Sequence, residues 1–330
     1  MTSTKDLISM PGVEDSLALI GSLVDDADAG IKQYQSPILD NIHYALRILG
    51  GGGKHLRAHL VHIAAAGADG PARDAAVVFG AAVEMLHSAF LVHDDIIDGD
   101  DLRRGHGTIH ALARKCFMER YSVTDPGAAE HMGAGIGIVS GDLALSWVYE
   151  LLATAEIDPQ VKAKAIAVVA QTSAVTIYGE MLDIEHAAYA HTDLDRIRLS
   201  NHLKTSDYSF VAPLRLGCIA SGRDPEPFIE IANELGRAYQ AADDLLGTLG
   251  DSATTGKKES DLERGRTTLL TSRMNESPKS MTAADEVGAE ARAHLDRARE
   301  LTTAATIHEL SRDGLLSIAD LIEEMVDRFA

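Results

Sequence analysis

Apolar positions recur at three- and four-residue spacing through long Ala-, Leu-, Ile- and Val-rich stretches, the spacing of one buried stripe per helix. No β-rich runs alternate with these stretches, so nothing signals a parallel sheet and the pattern predicts an all-α fold. Short breaks punctuate it at Pro11-Gly12, Gly50 to Gly53, Gly70-Pro71, Asp125-Pro126-Gly127, Asp158-Pro159, Asp224-Pro225 and Asn275 to Pro278. Some of these breaks are also helix starts. Asp158 is predicted as an N-cap with Pro159 in the first turn, and Thr192 with Asp195 as a relative of the capping box. The continuity of the pattern favours one domain over residues 1–330, with 1–12 as a flexible tail. Met1 to Met10 lacks the features of a signal peptide, and no uninterrupted apolar run of about 18 residues stands out, so no bilayer-spanning segment is expected.

Two of the periodic stretches run into acid clusters, His93-Asp94-Asp95-Ile96-Ile97-Asp98 and Gln240-Ala241-Ala242-Asp243-Asp244-Leu245-Leu246-Gly247. On a helix, Asp94 and Asp98 share a face with Asp95 beside them, and a second helix can present Asp243 and Asp244 opposite. Such a cluster repels itself without cations. Carboxylate oxygens suit Mg²⁺, which keeps several waters and binds one or two carboxylates together with substrate phosphates. The pattern points to a Mg²⁺-diphosphate clamp.

The chain carries 30 basic and 50 acidic residues, a formal net charge of −20, which argues against nucleic acid as a partner. An anionic substrate needs local basic patches instead, and two are present. Lys54-His55-Leu56-Arg57 follows the glycine loop, where a helix start would offer free N–H groups and a positive dipole end to an anion. Arg103-Arg104 follows the first acid cluster, and an arginine fork can grip a diphosphate whose metal the carboxylates hold. Cys116 and Cys218 form no CxxC pair and fit reduced thiols in a cytoplasmic protein. His59 and His62 could share a helix face, but no open zinc set with a supporting carboxylate accompanies them.

In order along the chain, Gly52-Gly53-Lys54 with Arg57, Glu84-Met85-Leu86-His87, His93 to Asp98 with Arg103-Arg104-Gly105, Gly141-Asp142, Gly179 to Asp183, Lys204-Thr205, Gln240 to Asp244 and Gly256-Lys257 resemble the trans-isoprenyl diphosphate synthases, the polyprenyl synthetase family. The resemblance covers most of the chain, and the actinobacterial-type geranylgeranyl diphosphate synthases share its Asp-Asp-Leu-Leu-Gly form. It implies an isoprenoid synthase-type helical bundle around a deep central cavity, with the two acid motifs facing each other across the mouth. By that similarity Lys54, Arg57, His87 and Arg104 bind the diphosphate of isopentenyl diphosphate. Asp94, Asp95, Asp98, Asp243 and Asp244 hold Mg²⁺, three ions with substrate bound, on the diphosphate of an allylic prenyl partner. Arg103, Lys204 and Lys257 contact that same diphosphate, and Thr205 lies beside the developing carbocation. Ala89 and Phe90 occupy the turn whose bulk sets product length, implying a C20 product, with farnesyl or longer products as alternatives. A homodimer is implied as well.

The chain departs from the family pattern at His55, Ala58, Gly107, Glu180 and Gly247, where Arg, Pro, Pro, Gln and a third Asp are expected. A glutamate at 180 repels a diphosphate unless it is protonated, turned away or paired with a metal or a lysine. Phe90 also reads as ordinary core packing, and Asp142 and Asp183 read as structural caps or supporting groups. A class I terpene cyclase is the main rival, given Asp243 and Asp251 eight residues apart. Against it stand the 5% aromatic content, the single Trp147 and the basic set for a second diphosphate. A non-catalytic partner subunit is disfavoured because the first acid motif is intact, and a purely structural helical protein has little use for matched acid and base clusters.

Overall fold

The computed structural model describes residues 10–51, 53–186, 188, 193–250, 268–276 and 280–329, the side chains of a few of them excepted. The described chain is helical except for one two-stranded ribbon. Helices α1 (Val13–Ile31), α2 (Pro37–Gly51), α3 (Leu56–Ala64) and α4 (Gly70–Ile97) lead into strands β1 (Leu102–Arg103) and β2 (His106–Gly107). Then come α5 (Ile109–Arg120), α6 (Pro126–Thr154), α7 (Pro159–His186) and α8 (Leu194–Asn201), and a π-helical segment over His202–Val211. The chain closes with α9 (Ala212–Ser221), α10 (Glu226–Leu249), α11 (Leu269–Glu276), α12 (Ser280–Ala304) and α13 (Glu309–Val326).

The breaks behave as their chemistry dictates. Asp158 Oδ1 accepts the N–H groups of Gln160 and Val161 at 2.9 and 3.1 Å, capping α7, and Asp125 does the same for Gly127 and Ala128 at the start of α6. Proline follows each cap, where its missing N–H costs nothing. The cap of α8 is Asp193, which accepts from Asp195 N at 3.1 Å, in place of the predicted Thr192, which lies outside the described residues. Residues 1–9 of the predicted tail lie outside them too, while Met10 is packed into the core at 5% exposure.

Two apolar clusters form the interior. One joins α3, the π-helical segment, α9, α10, α12 and α13 through residues such as Leu60, Phe210, Leu235, Leu295 and Ile318. The other joins α1, α2, α4, α5, α6, α7 and α9 through Phe79, Leu86, Trp147, Val169 and Leu216. Helices α1, α3 and α9 lend residues to both, as with Val13 and Ile20, Leu60 and Val61, and Leu214 and Leu216, and the charged residues of the site come from α3, α4, α7, α10, the ribbon and the π-helical segment.

The expectation about apolar length needs correction. Helices α4, α6 and α7, of 28, 29 and 28 residues, are each long and apolar enough to cross a membrane by length and composition. Isolated charges such as Glu84 interrupt the runs without removing their apolar character. The most apolar stretch of α4 is 72% buried, which marks a core helix, against 44% for α6 and 39% for α7. These last two expose Met132, Ile138, Val139, Ile177, Tyr178, Met181 and Ile184.

Candidate active site

The first acid motif ends α4. Asp94 and Asp98 lie one turn apart, and the Asp98 N–H donates to the Asp94 carbonyl at 2.8 Å as the helix closes. The chain that follows, through Gly107, folds into the ribbon, whose turn residues Arg104 (φ 51°) and Gly105 (φ 78°) are both left-handed, the conformation a two-residue hairpin needs. This tight return swings Arg103 back over the acids. Its Nε donates to Asp95 Oδ1 at 2.6 Å and its NH2 to Asp94 Oδ2 at 3.1 Å. Arg104 points the other way, towards the glycine loop. A Cβ on Gly53 (φ 109°) would lie 2.8 Å from both terminal nitrogens of its guanidinium, so the absence of a side chain lets the loop close on it.

Asp95 is 2% exposed, and burial pushes its carboxyl up to about 6 against the opposing charge of Arg103. For Arg103 burial acts against the charge, but Asp95 and Asp94 outweigh it and raise the guanidinium. Helix α10 carries the second motif. Adjacent helical residues point about 100° apart, and the two acids part accordingly: Asp243 is exposed, while Asp244 is 5% exposed and accepts from Gln240 Nε2 at 3.0 Å. Asp243 also bears on Tyr239, whose hydroxyl is raised by burial first and by that carboxylate next.

Lys204 and Thr205 lie in the π-helical segment, a form frequently found at functional sites. The segment reaches α7 because Gly179 offers no Cβ; one there would lie 2.3 Å from the Lys204 amide nitrogen. The Lys204 ammonium sits 2.8 Å from Glu180, 3.0 Å from Asp183 and 3.4 Å from Asp94. Burial opposes its charge, yet these three carboxylates raise its pKa. Burial raises the Glu180 carboxyl in turn, with Lys204 opposing. Glu180 is therefore paired with a lysine. Asp183 lies inside α7 and so is no helix cap; it supports Lys204, the other reading of it, and its place one turn from Glu180 on α7 was the sequence signal for both contacts.

The basic patch at α3 differs from expectation. Its helix start is not open to a substrate anion, because Glu84 of α4, 5% exposed, accepts the N–H groups of Arg57 and Ala58, each at 3.0 Å through Oε1. His55 precedes the helix in a left-handed conformation, its Nδ1 3.7 Å from Glu84 Oε2. What this patch presents to the site is side chains instead. Arg57, 6% exposed, lies with its guanidinium 4.6 Å over the Tyr208 ring and donates to Tyr208 Oη at 2.9 Å and Ser209 Oγ at 2.7 Å. Tyr208 Oη is also 3.4 Å from His87 Nδ1, and burial with Arg57, Arg104 and Arg103 drives His87 well below its ordinary value. This environment disfavours the charged form of the His87 imidazole. Lys54 is exposed near the end of α13, its ammonium lowered by partial burial and by Arg328. Tyr208 and Ser209 were not among the expected site residues; they lie one turn beyond Lys204-Thr205 in the same segment, but only its packing aims them at Arg57.

Of the two residues expected to set product length, Ala89 is fully buried in the second apolar cluster. Phe90 keeps accessible surface and packs edge-on against Tyr208, with centroids 5.2 Å apart. Lys257 lies outside the described residues, as do Gly52, Asp251 and Gly256. His59 and His62 turn to different partners, the His55 carbonyl at 2.9 Å and Ser16 Oγ at 3.0 Å.

Among the described residues no three carboxylate, imidazole or thiol groups gather into a ready cage for a metal ion. The donors on α4 and α10 are hard oxygens without sulfur, which suit an ion that arrives with its own phosphate ligands. Chemically, the site offers guanidinium and ammonium groups for more than one phosphate, together with oxygens for a divalent cation.

A family model described as polyprenyl synthetase matches residues 39–304. The farnesyl diphosphate synthase of Haemophilus influenzae is 32% identical over 243 residues, covering 69% of this chain and 72% of its own. The geranylgeranyl diphosphate synthase of Sulfolobus acidocaldarius is 29% identical over 260 residues, covering 75% and 71%. Among solved structures, a geranylgeranyl pyrophosphate synthase from Corynebacterium glutamicum complexed with isoprenyl diphosphate and magnesium superposes with a TM-score of 0.83. It is 23% identical, over 96% of this chain and 99% of that one, a likeness of fold.

Proposed function

Since the chain belongs to the polyprenyl synthetase family and is a prenyltransferase of the trans-prenyl diphosphate synthase type, we propose that it joins isopentenyl diphosphate to an allylic prenyl diphosphate, with geranylgeranyl diphosphate as the main product. The observation that carries this reading is the division of the basic groups into two sets. The Arg57 guanidinium, bonded to Tyr208 beside His87, belongs to one, while Arg103 and Lys204 lie on the first acid motif. Two diphosphates need two such sets, and a cyclase needs one.

Asp94, Asp95 and Asp98 from α4 and Asp243 and Asp244 from α10 would hold Mg²⁺, which supplies neutralisation of the negative charge that grows on a departing diphosphate. Arg103 and Lys204 add fixed positive charge at the same place, where it acts most strongly because water is partly excluded. Arg57 presents a guanidinium held by Tyr208 and Ser209, so little side-chain entropy is lost when the extender diphosphate binds. Neutral His87 can donate a hydrogen bond without adding charge. Thr205, beside Lys204, would face the allylic cation. As the allylic C–O bond breaks and diphosphate leaves, attack by the double bond of isopentenyl diphosphate forms the new C–C bond, and a proton passes to the released diphosphate, restoring an alkene.

The C20 product rests on Phe90, which supplies bulk one turn before Asp94 with Tyr208 behind it. The relatives are named for both farnesyl and geranylgeranyl products. The exposed apolar faces of α6 and α7 support a homodimer, and kinship with enzymes of isoprenoid synthesis supports a cytoplasmic location. The test is direct. The purified protein is incubated with isopentenyl diphosphate and dimethylallyl, geranyl or farnesyl diphosphate in turn, and the products are identified by mass. Geranylgeranyl diphosphate as the end product supports the reading, and no condensation with any of the three defeats it.

A further inference from the structure

An ammonium has three N–H donors, and Lys204 has a carboxylate for each. Glu180 at 2.8 Å and Asp183 at 3.0 Å come from α7, and Asp94 at 3.4 Å comes from the first acid motif. A phosphate oxygen can reach this ammonium only by replacing one of the three. Asp94 is the loosest, and Arg103 already holds its other oxygen at 3.1 Å. The exchange therefore falls on Asp94, and the two α7 acids stay with the lysine.

Glu180 makes the shortest of these contacts and stays with the lysine when Asp94 is exchanged, so it goes on cancelling part of the ammonium's charge. A glutamine, the residue the resemblance leads one to expect there, could still accept a hydrogen bond from Lys204 but would cancel none of its charge. We propose that Glu180 is a positioning residue that lowers the affinity of the allylic pocket for diphosphate by holding and neutralising Lys204. The inference rests on the reading of Lys204 as a ligand of that diphosphate. It has a use: the pocket must also let go of the pyrophosphate it produces, and equal tightening of ground and transition states gains nothing in kcat.

The experiment titrates inorganic pyrophosphate into the full-length protein at a fixed, saturating Mg²⁺ concentration and follows the heat. It compares the wild type, Glu180→Gln, Lys204→Ala and the double variant. Glu180→Gln is expected to lower the Kd about tenfold, the scale of one hydrogen bond to a charged group. In the Lys204→Ala background the same change is expected to gain about twofold or less, because there is no ammonium to release. An unchanged or weaker Kd for Glu180→Gln overturns the proposal, and so does an equal gain in both backgrounds, which is plain charge repulsion. If Lys204→Ala alone leaves the Kd unchanged, the assignment of Lys204 to the diphosphate is what fails. Glu180→Asp keeps the charge but withdraws it by one methylene. It is expected to show part of the gain, and a wild-type Kd there overturns the proposal even if Lys204→Ala does not fold. In steady state the allylic KM of Glu180→Gln falls by a similar factor while kcat does not rise.

Discussion

Glu84 Oε1 accepts the backbone N–H of Ala58 at 3.0 Å, an acid of α4 thereby capping the first turn of α3. The same oxygen takes the N–H of Arg57, so the start of the helix is satisfied from within the protein and the Arg57 side chain is left to face the site. A proline at 58 has no N–H to give, which accounts physically for alanine at this position.

Glu84→Ala is expected to cost about 2–4 kcal/mol, because two buried N–H groups lose their acceptor. Burial pushes the Glu84 carboxyl up, but His55, Arg57 and the Ala58 N–H together bring it below its ordinary value. A depressed carboxyl stabilises the fold above its unfolded pKa of roughly 4.3 and loses that contribution as the pH falls through the folded value. Urea unfolding from pH 7 to pH 3 checks the sign. The wild type loses stability below about pH 4, and Glu84→Gln, less stable at pH 7, shows a shallower loss there.

Asp94→Asn and Asp243→Asn are each expected to lower kcat by a factor on the order of 10²–10³ with an unchanged circular dichroism spectrum, since each removes a hard oxygen from the charge-stabilising set. Excess chelator is expected to abolish turnover and added Mg²⁺ to restore it. Full activity in chelator contradicts the metal assignment.

The two basic sets separate by substrate. Arg57→Ala is expected to raise mainly the KM for isopentenyl diphosphate, and Lys204→Ala that for the allylic partner. Tyr208→Phe keeps the ring under Arg57 but removes the hydroxyl that accepts at 2.9 Å, so a rise of about fivefold in the isopentenyl diphosphate KM is expected. A rise confined to the allylic KM in both Arg57→Ala and Tyr208→Phe contradicts the division.

Phe90→Ala is expected to lengthen the products beyond C20, as the ring that meets Tyr208 edge-on is removed. Ala89→Phe is expected to shorten them at some cost in stability, because Ala89 is fully buried and a larger side chain must displace its neighbours. Mass analysis of the products reads both. Unchanged distributions at retained rates place the floor elsewhere.

Light scattering at micromolar concentration is expected to give twice the 35.2 kDa chain mass. Ile177→Asp, at an exposed apolar position of α7, is expected to shift the protein towards monomer. A wild-type monomer removes the dimer assignment.

Helix type, most breaks and both acid motifs were legible in the chain itself, because they depend on spacing within one turn or on the local chemistry of Asp and Pro. Asp94 and Asp98 share a face through the 3.6-residue repeat alone, and Asp158 caps α7 through its own side chain. What residues far apart in sequence do to one another was decided only by packing. Glu84 closes the start of α3 against outside anions across 26 residues, and the absence of a Cβ at Gly179 brings the π-helical segment close enough for Lys204 to meet Glu180, Asp183 and Asp94 at once. The same approach carries Tyr208 to Arg57, 151 residues away. Charge placement of this kind depends on distances of a few ångströms between separate helices, and those distances follow from how whole helix faces fit together, which no local pattern encodes.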